Sequence, residues 1–252
     1  MEKSTLYNGV KEILLGINIK RNLTNVHVVF YRHGNLAHMV GEHKIDIIFP
    51  LFGSSNSQIH PSIGYIADLQ HKHLDFLFSA KVVKTRDKEY KTCLNKYRYI
   101  CVNSQNVKKD LENFYKPYSA EVLVLPCLPI ASNFHIETKN IFHKLKKKYD
   151  LPQKYFIISN QLWMHKNHLL AFQALEQLFE KGYSDIGLVC TGRLEDNRNK
   201  EYLQQVLHVR EKLKCKRNIL LLGLIPKKEQ LCIMRNSIAL IQPTQFEGGP
   251  GG

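Results

Sequence analysis

The sequence predicts an α/β protein built from two doubly wound domains in tandem, and three observations carry that prediction. Short apolar runs rich in β-branched residues alternate with stretches of helical periodicity along the chain. The apolar runs lack polar alternation, as strands do in parallel sheets covered by helices on both faces. The loops that carry unusual residues follow strands, which is where such folds place their ligands.

The elements follow in order. Residues 6–19 place apolar side chains at 6, 10, 13, 14 and 17, a helical spacing, and 26–31 form a short β-rich run. Residues 45–50 read as a second strand and 53–57 as a loop. A third strand covers 63–68 and ends at Gln70-His71; a helical stretch and a fourth strand at 99–103 come next. Ser104 is expected to cap a helix over 105–115, and 121–125 form a fifth strand. Pro126-Cys127-Leu128-Pro129 then interrupts the pattern, and a lysine-rich helix over 141–149 leads into a second series. That series runs strand 155–159, helix 167–181, strand 186–191, helix 200–214, strand 219–222, helix 228–236 and strand 238–242. The boundary falls between residues 126 and 135, dividing the chain into domains 1–130 and 131–252.

Composition narrows the function classes. With 252 residues and 44% apolar content, the chain has ample material for packed cores. No apolar run approaches the roughly 20 residues of a membrane span, and the first residues lack a signal-peptide core, so the expected location is the cytoplasm. Six cysteines form no Cys-x-x-Cys pair and most sit in apolar surroundings, so reduced, buried thiols are expected. His71-Lys72-His73 is the one tempting neighbour for a zinc site, and a metal is not expected there. The net charge of +14 is spread along the chain. It fits a solvated basic surface, an anionic membrane, a phosphate-rich substrate or nucleic acid, and charge alone does not choose.

Three loops stand out. In Ser159-Asn160-Gln161-Leu162-Trp163-Met164-His165-Lys166-Asn167-His168 a strand passes into a helix, and Gln161 and Lys166 lie near the helix N-terminus, where an anion is favoured. A lysine opposes the helix dipole there; a diphosphate between the two would reconcile them, and the competing reading is a surface lysine turned to solvent. Gly192-Arg193 and Gly223 are ordinary turn signals, raised by their shared position at strand ends. The strongest signal is Glu247-Gly248-Gly249-Pro250-Gly251-Gly252, where a strand empties into one carboxylate and a loop open to close backbone approach by a phosphate. No Gly-Lys-Ser/Thr follows, so it is not a Walker loop; a flexible glycine-rich terminus is the alternative.

Taken as a set, these loops, with Leu222-Gly223-Leu224-Ile225, Pro243-Thr244-Gln245-Phe246-Glu247, Asp68-Leu69-Gln70-His71 and Val102-Asn103-Ser104, resemble glycosyltransferase family 4, the group 1 glycosyltransferases. The resemblance follows the family's order over most of the chain. It implies the glycosyltransferase B fold of two Rossmann-like domains, an acceptor-binding one and a nucleotide-sugar-binding one, each incomplete here. It also implies a retaining, metal-independent transfer of a sugar from a nucleotide-diphosphate sugar to a glycan or lipid-linked acceptor, with no cofactor, in surface polysaccharide or lipopolysaccharide biosynthesis.

By position, the resemblance makes Lys166 the group that neutralises the donor diphosphate and Glu247 the first glutamate of the family's pair, at the donor sugar. Gly248, Gly249, Gly251 and Gly252 would meet sugar or phosphate through backbone N–H groups. Gly192, Leu224 and Ile225 would lie along the nucleoside, and His71 beside the transferred sugar and the acceptor. Gln161 stands where family members often carry arginine, a departure that favours an alternative: an inactive nucleotide- or sugar-binding remnant. The family's second glutamate and its first strand with a glycine-rich loop are not in the sequence, so the chain reads as a fragment of a longer enzyme. The basic surface would meet an anionic membrane at its inner face. Nucleic acid is not an expected partner, since no recognition-helix or aromatic RNA-platform signature is present.

Overall fold

The computed structural model describes residues 40–53 except 43 and 46, residues 61–126, and residues 138–249 except 197, 198 and 200. The helix expected at 6–19 and the strand at 26–31 lie outside these residues, as do Gly251, Gly252 and most of the 53–57 loop. Two compact units emerge: one contains 61–75 and 79–126, the other 76–78 and 138–247.

In the first unit, β1 (Ile48–Leu51), β2 (Ser62–Ile66), β3 (Tyr99–Val102) and β4 (Glu121–Val124) lie side by side in chain order, all parallel. The helices α1 (Gln70–His73), α2 (Ala80–Lys96) and α3 (Gln105–Tyr115) fall between strands. The two long helices begin with a serine cap, as short hydroxyl side chains satisfy free N–H groups at helix starts: Ser79 Oγ accepts from Val82 N at 3.3 Å and Ser104 Oγ from Val107 N at 3.2 Å. Leu69, Leu94, Ile100, Val102, Val107 and Leu111 form the centre of its core. Gly64 is required in β2, because a Cβ there would lie 2.6 Å from Ile100 Cδ1 and 2.8 Å from the Tyr97 ring.

The second unit has β5 (Lys154–Ser159), β6 (Ile186–Thr191) and β7 (Ile219–Gly223), again parallel and in chain order. Its helices are α4 (Thr138–Lys148), α5 (His168–Glu180), α6 (Tyr202–Lys212) and α7 (Lys227–Arg235). The period of two in a strand sends alternate side chains of β5 to opposite faces. Tyr155 and Ile157 pack with Leu145 of α4 and Ile233 of α7, while Ile158 packs with Phe172 of α5 and Val206 of α6. Helices therefore cover both faces, which explains why the strands read as unbroken apolar runs. The thiols of Cys93, Cys101, Cys190, Cys215 and Cys232 are free and buried, and burial pushes that of Cys190 up to about 12.

The strand expected at 238–242 forms only in part. Ile238 N donates to Tyr155 O at 2.8 Å, Ile157 N to Ala239 O at 3.0 Å and Ile241 N to Ile157 O at 2.9 Å, with a single bridge between Ile157 and Leu240. This segment thus lies along β5 on the side away from β6. Pro243, which has no N–H to donate, ends the pairing.

Candidate functional site

The carboxyl ends of β5, β6 and β7 bring their loops together in the second unit. Leu162 N donates to Arg193 O at 2.8 Å, and Gly192 N donates to Gly223 O at 2.9 Å. Gly192 holds φ at +129°, and a Cβ on it would strike the Asn160 carbonyl group. Glycine is therefore needed for the loops to meet. Beneath them, Gln230 Nε2 of α7 donates to Ser159 Oγ at 2.7 Å and Thr191 Oγ1 at 3.0 Å, joining the last residues of β5 and β6.

Beyond Gln161, which is exposed, the chain makes a short 3₁₀ turn over Met164–Lys166. Asn167 follows in the left-handed region, with φ at 54°, and α5 begins. Lys166 Nζ donates to Glu247 Oε1 at 2.5 Å, with side-chain exposures of 12% and 22%. The same oxygen accepts from Gln242 Nε2 at 3.1 Å, and Gln242 Oε1 accepts from Asn160 Nδ2 at 2.9 Å. Thr244 Oγ1 and Gln245 N both donate to His165 O, at 3.2 and 2.8 Å, tying the segment before Glu247 to the lysine turn.

The lysine has a partner within the chain. At the start of α5, where a lysine opposes the helix dipole, the Glu247 carboxylate meets the charge of Lys166. Behind it, His168 is buried at the first position of α5. Burial, with the Lys166 charge adding to it, lowers its pKa to about 4.

The remaining residues expected along the donor divide. Leu224 is 77% exposed just past β7, whereas Ile225 packs against the core between β5, β6, α4 and α7. Gly248 and Gly249 cluster with the first unit, where Ser104 Oγ donates to the Gly248 carbonyl at 2.9 Å.

In the first unit His71 is fully buried in α1. Its Nε2 lies 3.0 Å from Asp87 Oδ1 and 3.1 Å from Tyr115 Oη. Tyr115 donates to Asp87 Oδ1 at 2.6 Å, and Lys72 Nζ to Asp87 Oδ2 at 2.7 Å. Burial lowers the His71 pKa against the pull of Asp87, so the ring is neutral at pH 7. Because Tyr115 gives its proton to Asp87, Nε2 carries the imidazole hydrogen and Nδ1 is left as an acceptor. Nδ1 is buried with no hydrogen-bond partner among the described residues. Burial opposes ionisation of Asp87, yet the bonds from Lys72, Tyr115 and His71 hold its pKa below the usual carboxylate value. The sequence pointed to His71 but not to Asp87 or Tyr115, which sit on α2 and α3 with no local signal linking them to it. Among the described residues no group of three His, Cys, Asp or Glu side chains is placed to hold a metal.

No known family profile matches the chain, and no curated protein matches it. Solved structures do. A glycosyltransferase from Rickettsia africae superposes with a TM-score of 0.61 at 14% identity, over 87% of this chain and 59% of the other. Sucrose-phosphate synthase from Thermosynechococcus elongatus gives 0.61 at 10% identity, over 90% of this chain and 60% of the other. HepE from Anabaena, solved with UDP and glucose, gives 0.61 at 12% identity, over 88% and 60%. The chain therefore spans about 60% of the length of these structures. The likeness shows the fold, an α/β arrangement of parallel sheets shared with glycosyltransferases of the B type.

Proposed function

We propose that the chain is part of a retaining glycosyltransferase that moves a sugar from a nucleotide-diphosphate sugar to a glycan or lipid-linked acceptor in surface polysaccharide or lipopolysaccharide biosynthesis. The observation that carries this reading is the Lys166–Glu247 pair at the carboxyl ends of the second unit's strands, on a fold shared with glycosyltransferases. Ligands of doubly wound sheets bind at that edge.

The reading assigns the chemistry as follows. The leaving nucleotide diphosphate gains negative charge in the transition state, so fixed positive groups are the main catalytic device. Lys166 turns from Glu247 to the diphosphate, and the N-terminus of α5 adds its dipole. Glu247, released, faces the donor sugar and favours positive charge at the anomeric carbon. The departing phosphate accepts the acceptor's proton, so no second carboxylate is needed as a base. Gln161, Gly192 and Leu224 line the nucleotide. His71, on the first unit, is assigned to the acceptor side. No described helix is long and apolar enough to cross a membrane; the same proposal brings the basic surface to an anionic membrane carrying the acceptor.

Gln161 favours a second reading, a nucleotide- or sugar-binding remnant without turnover. A neutral amide stabilises a leaving diphosphate less than a guanidinium does. One experiment separates the readings: calorimetric binding of UDP- and GDP-sugars to the chain, followed by an assay for nucleotide release with lipid-linked acceptors. Binding with release supports the transferase, and binding without release supports the remnant. If no donor binds, both fall.

A further inference from the structure

Gln242 and Asn160 belong to no part of the chemistry assigned above, yet they end on its carboxylate. Glu247 Oε1 takes two hydrogen bonds, one from the charged Lys166 Nζ and one from the neutral Gln242 Nε2. Any anion that binds Lys166 competes for the first bond and leaves the second. Asn160 Nδ2 donates to the Gln242 Oε1, which directs the Gln242 Nε2 at Glu247. Both amides are placed by β5. Asn160 directly follows β5, and Gln242 follows Ile241, whose N–H bonds Ile157 O of β5 at 2.9 Å.

We propose that Asn160 and Gln242 form a neutral amide relay that positions the Glu247 carboxylate, holding it in place when Lys166 turns to the donor diphosphate. The proposal rests on the donor-binding reading above. The neutrality of the relay is its chemical point. A lysine or arginine at 242 would also orient the carboxylate but would cancel its charge. An amide donor fixes the direction of the carboxylate and leaves its charge for the sugar. Asn160 and Gln242 are positioning residues: they act on the sugar only through Glu247.

The test uses Gln242→Met, which keeps the volume and deletes the donor. With a UDP- or GDP-sugar the change should lower kcat about tenfold, with KM held within roughly twofold, as loss of one hydrogen bond to a charged group in the transition state does. In a Glu247→Gln background the same change should have no further effect on kcat. Equal losses in both backgrounds, or a loss confined to KM, would overturn the relay. If the unaltered chain binds no donor, the donor reading falls by itself, and proton–nitrogen NMR of the Gln242 side-chain amide in the ligand-free chain still decides the relay. Glu247→Gln and Asn160→Ala should each shift that signal; an unmoved signal overturns the proposal.

Discussion

Lys166 Nζ lies 2.5 Å from Glu247 Oε1, so the cation proposed for the donor diphosphate is already matched by the carboxylate proposed for the donor sugar. With the two side chains paired, the two roles exclude each other. A nucleoside diphosphate must displace Glu247 from Lys166 before it gains that charge, and the displacement opposes binding. Replacing Glu247 with Gln keeps the shape and removes the competitor. UDP or GDP should then bind about threefold to tenfold more tightly, since a partly buried ion pair contributes roughly 1 kcal/mol. Nucleotide release from the sugar donor should fall in the same variant. Calorimetry with the free nucleoside diphosphate is the decisive measurement, and weaker binding would show that Glu247 does not compete for Lys166.

Lys166→Ala acts in the opposite direction. It deletes the charged donor and leaves Glu247 beside the anion, so nucleoside diphosphate affinity should drop by about 2–3 kcal/mol, the scale of a charge-assisted hydrogen bond. The loss should shrink as salt rises. Unchanged affinity at low salt would remove Lys166 from the donor site.

Gly192→Ala should damage the site through the backbone. At φ +129° a side chain is strained, and the added Cβ would collide with the Asn160 carbonyl, which belongs to backbone rather than a movable side chain. The loop ending β5 must shift, and with it Gln161 and the Gly192–Gly223 hydrogen bond. A stability loss of about 2 kcal/mol is expected, read as a lower melting temperature, together with weakened nucleotide binding. An alanine variant with unchanged stability would show that the loops can separate without cost.

Much of the fold was legible because each strand of the second unit is covered on both faces and so reads as an apolar run. Ser104 and the helix that it caps were legible for a local reason, a hydroxyl at a helix start. The segment 238–242 is apolar as a strand is, but it forms a single bridge to β5 and Pro243 ends the pairing. Lys166 could be picked out from its position before α5, yet its partner could not, since Glu247 is 81 residues away in sequence. His71 shows the same limit. Its burial and its bonds to Asp87 and Tyr115 join three helices, and no spacing within any one of them encodes the contact. Local chemistry marks single residues at strand ends, whereas their pairing is a property of the packed chain.

The buried imidazole of His168 gives the second unit a dependence on pH. Burial and the Lys166 charge set its folded pKa at about 4, below the 6.5 of an ordinary histidine. The unfolded chain therefore binds a proton more readily, and stability must rise with pH between those values. Above pH 6.5 the ring is neutral in both states and costs nothing. As pH falls, protonation of the unfolded chain draws the equilibrium away from the native state, and the loss is complete once pH passes below the folded value. A depression of this size corresponds to roughly 3–3.5 kcal/mol at most. His71 in the first unit, also lowered mainly by burial, adds a slope of the same sign there. Urea or thermal midpoints measured from pH 7 to pH 4, with and without His168→Leu, isolate the contribution. The leucine variant should show a flatter profile over that range. An equally steep loss of stability in the variant would place the acid sensitivity on other groups.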